Sequence, residues 1–556
     1  MNRTNSRFDL TGFEDVGLSP SALGRLLDEH DAGTRPELER LWSYYRNPRK
    51  SALLPTTAWA SPRTRLAQED GLPPRLRGVS GTQLLDDRAA TKEIVIENDI
   101  GWRVDAMVDF VFGKPLTILS TSPNSELRPI IERVLDRVWE ASGGIQLFQD
   151  IALIGGVYGF ADLVVRGDEL FSRLFVDSIN PLIDGTSDPD TASTADSAQA
   201  SLDALLPLVR IELVEGTRAI PMLSAGDYRV IDAYVIRSQQ RRIAEMNSQM
   251  DGAGDDASLT PTDDDATTPT GRFADRLAAW LTGASGRRAG SSPAPGQSSG
   301  EPAILDIVEV LSPSRRKVFE NGRLVYDAVN PLGELAVVHI QNASQPFAYA
   351  GVSDVEPLIP LQDELNTRLS DRAHRVTLQS FNMYLAKGLD GFGAAAIGPG
   401  QVWSTDNPDA RVESFGGDAH APSEVAHIDE VRDAMDKASG VSPVALGVIR
   451  AKLGHLSSEN ALRITLNGVL SKTARKRVSY GRGIAQVCRL VLTMLDKAGV
   501  LKTTEVDRGV RLHWQDPLPL DERARLSAAL LKRDLGVPVN ELLAELGYAR
   551  EDAGVG

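Results

Sequence analysis

The residue types that could carry chemistry are few in this chain, and their spacing brings none of them together. Seven histidines stand at 30, 339, 374, 420, 427, 455 and 513. His420 and His427 are seven positions apart and His420 precedes the helix that carries His427, so they miss the i, i+4 spacing that sets two imidazoles around one metal ion. His455 falls in a glycine-rich loop, where an exposed polar role is the default. The single cysteine, Cys488, excludes an internal disulfide framework and a cysteine-built zinc site. Set among Val487, Leu490 and Val491, it reads as a buried helix position rather than a nucleophile. The run Asp263-Asp264-Asp265 has charge for a cation, but its Ser, Thr, Gly and Pro surroundings read as a solvated linker. No G-x-x-x-x-G-K-[ST] phosphate loop is present. Gly391-Phe392-Gly393-Ala394-Ala395-Ala396 imitates a dinucleotide fingerprint, yet Gly398-Pro399-Gly400 follows where that fingerprint needs a helix. Asn342-Ala343-Ser344 is a glycosylation sequon that matters only on secretion. The expectation is a non-enzyme with no catalytic residue, no metal and no cofactor.

Composition sets the frame for whatever else the chain does. Its 556 residues exceed one comfortable core, so two or more substructures are expected. No stretch reaches the roughly 18 uninterrupted apolar residues of a membrane span. Met1 to Arg7 is polar, unlike the apolar core of a signal peptide, and the chain is expected to be made in the cytoplasm. The formal net charge of −16 rules out global gripping of nucleic acid, which needs basic groups that displace counterions from phosphates. Any contact with DNA would use local basic patches or let the duplex slide without sticking.

The periodicities then place the elements. Glu37–Tyr45 is a short helical pattern, and residues 51–80 look extended. From Thr91 to Phe112, Ile94, Ile96, Ile100, Val104, Met107, Val108 and Val111 recur at helical spacing up to Gly113-Lys114-Pro115. Further helices are expected near 124–142 and 145–155, each ended by a glycine pair. Strand-type runs follow at Phe160–Val165, Leu170–Phe175, Leu208–Val214, Tyr228–Ile236 and Ile304–Val310, and Asn321-Gly322 marks a hairpin within Val318–Tyr326. Residues 248–302 are low-complexity, with one possible short helix at Phe273–Leu281.

The second half is helical. Leu358, Leu361, Leu365, Leu369, Ala373 and Val376 mark one face from Ser353 to about Gln379. A glycine-rich insertion over 381–418 follows, with strand-like Met383–Ala386 and Gln401–Trp403. A helix capped at Ser423 runs to about Ala438, and a loop from Gly440 to Ser458 leads to the longest periodic segment, Glu459–Ala498. Gly468, Gly481 and Gly483 are expected bend points of that segment, and the tail forms two short helices around Gly536-Val537-Pro538. A helical hairpin with an insertion at its tip leaves apolar stripes in need of neighbours. Copies closed into a ring bury those stripes; a monomer with the helices packed internally is the alternative.

Four stretches together resemble the portal family of bacteriophages, in the branch found in long-tailed phages of Gram-positive bacteria. They are Asn98–Leu116; Gly155–Val165 with Leu174–Ile183; Gly351–Ser370, with a Leu-Gln-Asp-x-x-Asn pattern at Leu361, Gln362, Asp363 and Asn366; and Gly440–Leu462. Each is short, and their order over about 90–545 carries the likeness. The inserts 184–204 and 248–302 have no counterpart in it.

The resemblance implies an α+β, mainly helical portal fold. After an N-terminal segment (1–50) it would comprise a wing (51–351), stem helices (352–380 and 419–440) around a small α/β clip (381–418), a tunnel loop (441–458), a long kinked helix (459–498) and a short helical crown (499–556). It further implies a dodecameric ring at one capsid vertex, located in the virion and, during assembly, in the host cytoplasm. Its partners would be the major capsid protein and scaffold, the terminase large subunit, the head–tail adaptor and the double-stranded DNA in transit, with no membrane. Channel candidates are Arg450, Lys452 and His455 in the tunnel loop, with Arg368, Arg372, Arg375 and Lys387 secondary. Phe392, Trp403 and Arg411 are the clip-docking candidates. The basic cluster Arg475, Lys476, Arg477 and Arg482 is expected to pair with acids of the adjacent subunit. The competing classes are another ring-forming virion protein and an enzyme of DNA packaging, and the missing phosphate loop speaks against the latter.

Overall fold

The computed structural model describes residues 8–50, 65–76, 93–174, 203–241, 304–380, 383–387, 408–415, 421–446, 463–518 and 522–546. Residues 238–307 cluster as a unit of their own, whose described residues are 238–241 and 304–307. The remainder of the chain forms the other unit.

Two helices open it, α1 (Pro20–Glu29), capped by the Ser19 side chain, and α2 (Arg35–Arg46), ended by Asn47 in the left-handed region. The small strands β1 (Arg49–Lys50) and β2 (Arg65–Leu66) pair next. Helix α3 (Asp99–Phe112) starts later than the apolar spacing from Thr91 implies. Residues 93–98 are not helical, and Ile94 and Ile96 alternate as an extended chain does. Asn98 caps the helix by accepting from Gly101 N at 3.2 Å. After β3 (Leu116–Ser120) and α4 (Leu127–Ala141), helix α5 (Gly144–Tyr158) runs through Gly155-Gly156 instead of ending there. A Cβ on Gly155 would lie 2.1 Å from the Tyr480 hydroxyl, so the pair serves close packing. The stop is Gly159, at φ 85.

Strand β4 (Phe160–Arg166) is buried on both faces as the middle of a three-stranded sheet. The expected strand at Leu170–Phe175 is a helix over 168–174. Leu170, Phe171 and Leu174 stand at i, i+1 and i+4, and Phe171 N donates to Gly167 O at 3.1 Å. Then come β5 (Arg210–Val214), β6 (Ala219–Leu223), β7 (Ile231–Arg241), β8 (Ile304–Leu311), β9 (Arg315–Glu320), β10 (Arg323–Val329) and β11 (Val337–Gln341). The β9–β10 hairpin turns on Asn321 and Gly322, at φ 51 and 82, as the sequence indicated. Strands β6 to β10 form one sheet in sequence order, and β11-β4-β5 form the other.

A turn at Glu356–Leu358 precedes α6 (Ile359–Ser380). Ser353, the expected helix start, instead caps that turn: its hydroxyl accepts from Val355 N at 3.0 Å and donates to Val157 O at 2.6 Å. Strands β12 (Met383–Lys387) and β13 (Arg411–Phe415) pair antiparallel beyond α6. Helix α7 (Pro422–Ser439) begins at its proline, whose fixed φ suits the first helical position, so Ser423 lies inside the helix and is not its cap. Leu466 (φ −91, ψ 6) precedes the longest helix, α8 (Asn467–Lys497). That helix is continuous through Gly481 and Gly483. A Cβ on Gly483 would meet Ile340 at 2.3 Å, which makes this a packing glycine where a bend was expected. Strand β14 (Val510–Trp514) pairs antiparallel with β3, and α9 (Glu522–Asp534) and α10 (Val539–Leu546) flank Gly536 at φ 93.

Three apolar clusters follow from this order. One joins α3, α4, α5 and the three-stranded sheet to α8; another joins α2, the start of α3 and β4 to α6 and α7; the third packs the N-terminal segment on β6 to β9. Cys488 is fully buried on α8, as its neighbours implied, and burial pushes its thiol up to about 12.

Candidate functional site: the helical hairpin and its anchorage

The hairpin of α6 and α7 packs along Leu365, Ile428, Val431 and Met435, all buried. Polar contacts tie the same two helices, Arg375 to Glu424 and His427 Nε2 to Glu364 at 3.1 Å. What fixes the hairpin to the body is a row of amides on α6. Gln362 Oε1 accepts from the backbone of Asp99 at 3.1 Å and of Ile100 at 3.2 Å, capping the start of α3 from another helix. Asn366 Oδ1 accepts from Glu97 N and Ser370 Oγ from Val95 N, both at 3.0 Å. Asn366 Nδ2 donates to Gln68 Oε1 at 3.1 Å, and Gln68 Nε2 donates to Asn98 Oδ1 at 2.8 Å and to Tyr44 O at 2.7 Å. The extended segment 93–98 thus gives its N–H groups to side chains of α6, which is why it needs no helix of its own. Gln362, Asn366, Ser370 and Gln68 are all buried. The Leu-Gln-Asp-x-x-Asn pattern is this joint: Asp363 accepts from Tyr44 OH at 2.8 Å, completing it.

Helix α7 is held as tightly. Arg103 on α3 is almost fully buried, with Nη1 2.6 Å from Asp436 and from the carbonyl of Val441, and its guanidinium lies 4.3 Å over the Trp102 ring. Arg432 reaches Glu97 at 2.6 Å.

The base of the hairpin is tied to α8 by a buried charge cluster. Asp354 receives Lys472 Nζ at 2.8 Å and also Lys476 Nζ, which donates to Asn342 Oδ1 at 2.6 Å. Tyr480 OH completes the group on Asn342 at 2.9 Å. Burial alone would raise the Asp354 carboxyl, but Lys476 and then Lys472 outweigh it and hold it at about 2. Burial pushes Lys476 down, against the pull of Asp354. Asn342 is fully buried, so the sequon is spent on packing. A second buried carboxylate, Asp162 on β4, accepts from the hydroxyls of Tyr234 at 2.6 Å and Tyr349 at 2.7 Å and contacts His339 Nδ1 at 2.7 Å.

The residues singled out from the sequence fall into three groups. Arg450, Lys452, His455, Phe392 and Trp403 lie outside the described residues, as do His420, the Gln401–Trp403 run, the Phe273–Leu281 helix and the Asp263–Asp265 run. Arg368 and Arg375 are engaged within the hairpin, with Glu364 (2.7 Å) and with Glu424 respectively. Arg372, Lys387 and Arg411 are exposed, and Lys387 and Arg411 stand directly opposite each other on β12 and β13. The basic cluster on α8 is divided by helical phase. Lys476 is spent on Asp354, and Arg477 donates to the carbonyls of Gln515 and Phe110, at 2.9 and 3.1 Å, and lies 5.1 Å over the Trp514 ring. The expected pairing with a neighbouring subunit is therefore corrected for these two, because α8 turns them into the body. Arg475 and Arg482 are exposed. Among the described residues no group of three or more His, Cys, Asp or Glu could hold a metal ion, and no helix is long and apolar enough to cross a membrane.

Residues 317–546 match the family model of the phage portal protein, SPP1 Gp6-like. The match opens within β9 and closes at the end of α10, so it takes in α6, α7 and α8. No curated protein matches the chain. Among solved structures, a chain from the neck of an empty gene transfer agent particle is 11% identical, with a TM-score of 0.40 over 82% of this chain and 91% of that one. A chain from the virion of a native gene transfer agent particle is also 11% identical, with a TM-score of 0.37 over 81% of this chain and 90% of that one.

Proposed function

We propose that this chain is the portal subunit of a phage-like particle, forming a twelve-membered ring at one capsid vertex through which DNA enters and leaves. The observation that carries the reading is the family match over 317–546, a stretch that holds α6, the β12–β13 pair, α7 and α8. In this reading α6 and α7 are the stem, residues 381–418 the clip, 441–458 the tunnel loop, and α9 and α10 lie in the crown. The branch of long-tailed phages of Gram-positive bacteria is part of the proposal. No catalytic step is assigned.

The geometry suits a passive conduit. The hairpin is fastened by buried amides and charges, so it works as a rigid strut. Its free surface is mixed: Asp429, Glu430 and Asp433 are exposed on α7, against Arg372 on α6. Such a surface holds a duplex weakly, because few phosphates are neutralised and the net charge of −16 opposes tight binding. Arg450, Lys452 and His455 are the proposed DNA contacts in the tunnel loop. Lys387 opposite Arg411 places two like charges across one strand pair, an arrangement that costs stability until an anionic neighbour is present. It supports our reading of the β12–β13 end as a docking face for terminase and then for the head–tail adaptor. Capsid protein and scaffold would meet the outer parts of the ring.

Mass photometry of the purified full chain tests the reading: it predicts a species twelve times the 60.1 kDa protomer. A monomer at every concentration tried would contradict it.

A further inference from the structure

The charge cluster at the base of the hairpin holds the parts of an amide-forming reaction. Lys476 on α8 directs Nζ at Asn342 Oδ1, 2.6 Å away. With a C=O bond of about 1.23 Å, Asn342 Cγ then lies no further than about 3.8 Å from Nζ, close to the ~3–3.5 Å of a near-attack geometry. Tyr480 OH donates to the same Oδ1 at 2.9 Å, so that oxygen already has two donors of the kind that stabilise a developing oxyanion. Asn342 Nδ2 donates to Val352 O at 3.0 Å and to Asp354 Oδ2 at 3.2 Å. The same Oδ2 receives Lys476 Nζ. One carboxylate oxygen therefore touches both the amine that would attack and the amide nitrogen that would leave, which is where a proton shuttle must stand.

The surroundings supply the rest. Asn342, Asp354, Lys476 and Tyr480 are buried, which keeps out water that would compete for the carbonyl. Burial also pushes the Lys476 ammonium towards the neutral amine that attack requires. The cluster borders a groove of about 1390 Å³, lined by Asp354, Lys472 and Lys476, which gives the leaving nitrogen a way out. Lys472 acts in the other direction. Its Nζ lies 2.8 Å from Asp354 Oδ1 and favours the ionised carboxylate, which makes Asp354 a weaker acceptor for the Lys476 proton.

We propose that Lys476 and Asn342 form an intrachain isopeptide bond, with Asp354 as the catalytic proton shuttle, Tyr480 as the oxyanion donor and Lys472 as a brake. The charge-paired cluster described above is the reactant state. Nζ attacks Cγ, the Nζ–Cγ bond forms and the Cγ–Nδ2 bond breaks. Nζ starts with three protons and keeps one; the other two pass through Asp354 to Nδ2, which departs as ammonium. Nothing is oxidised or reduced. The product joins residues 134 positions apart and ties the chain after β11 covalently to α8. The step is confined to one chain, so it does not depend on the ring-forming reading.

Mass spectrometry tests it. The freshly purified full chain is incubated folded at neutral pH, and samples taken over time are denatured for intact-mass and tryptic-peptide measurement. The expected result is a progressive loss of the mass of one ammonia, with a branched peptide that joins residues 324–368 to Lys476-Arg477. The reacted chain keeps a closed loop and is expected to migrate faster on denaturing gels. Lys472→Met is expected to form the bond roughly tenfold faster, because a second cation no longer opposes proton transfer to Asp354. Lys476→Arg, its fold checked by circular dichroism, is expected to form none. An unaltered chain without the branched peptide, an ammonia loss confined to a succinimide at Asn342, or a folded Lys472→Met chain that reacts no faster would each overturn the proposal while leaving the portal reading standing.

Discussion

Lys476→Met removes the charge that does most to hold Asp354 ionised inside the joint between hairpin and α8. A carboxyl held at about 2 rather than at its ordinary 3.8 contributes roughly 2–3 kcal/mol at neutral pH. The sign follows from the depression of the folded-state value. The stability is fully present above about 4, the ordinary carboxylate range, and is lost as the pH falls towards about 2. Without Lys476 the carboxylate keeps only Lys472, and its burial then works against it. At pH 7, hydrogen exchange monitored by mass spectrometry over 343–357 and 472–484 should show protection falling by roughly one to two orders of magnitude. The gap between variant and wild type should close as the pH is lowered through 4 towards 2. Asp354→Asn added to Lys476→Met should recover part of the loss, because it removes the stranded charge. Unchanged protection in Lys476→Met at pH 7, or a gap that widens in acid, would refute the reasoning.

Other consequences can be checked separately. Gln362→Leu leaves the buried N–H of Ile100 without its side-chain acceptor and Asp99 N with only the Glu97 carbonyl, and should cost about 1–3 kcal/mol, read as faster proteolysis within 93–100. Gly155→Ala forces a methyl against the Tyr480 hydroxyl and should lower stability by about 1–3 kcal/mol; in denaturant titrations, Gly155→Ala/Tyr480→Phe should lose less than the sum of the two single changes. Arg450→Ala/Lys452→Ala should impair DNA packaging or retention in a particle assembly assay while ring formation proceeds. Normal packaging by that double variant removes the two residues from the channel.

The elements with strong apolar periodicity were legible in the sequence, as was the hairpin at Asn321-Gly322, where two residues tolerant of positive φ leave little choice. What was not legible depends on partners far along the chain. The helical spacing from Thr91 overran because Glu97 and Val95 find acceptors on α6, some 270 residues away. Gly155 and Gly483 carry the sequence mark of helix ends or bends, but each sits where another element approaches too closely for a side chain. Strands β13 and β14 have too little alternation of their own, and pairing with β12 and β3 makes them strands. Of the candidate site, the Gln362–Asn366 pattern was visible as a motif, while its role as a cap for α3 and a clamp on Gln68 is a tertiary property. The α8 cations were separable in principle: Arg475 and Arg482 are one heptad apart and share a face, whereas Lys476 is turned by about 100° from Arg475.

The central claim is that these elements build the wall of a ring. Electron microscopy of the purified full chain, in negative stain and then in vitrified ice, tests it most directly. The account predicts twelvefold class averages with an axial hole wide enough for a DNA duplex and the α6–α7 hairpins arranged around it. Compact single particles without a hole, under conditions where the chain is folded, would contradict it.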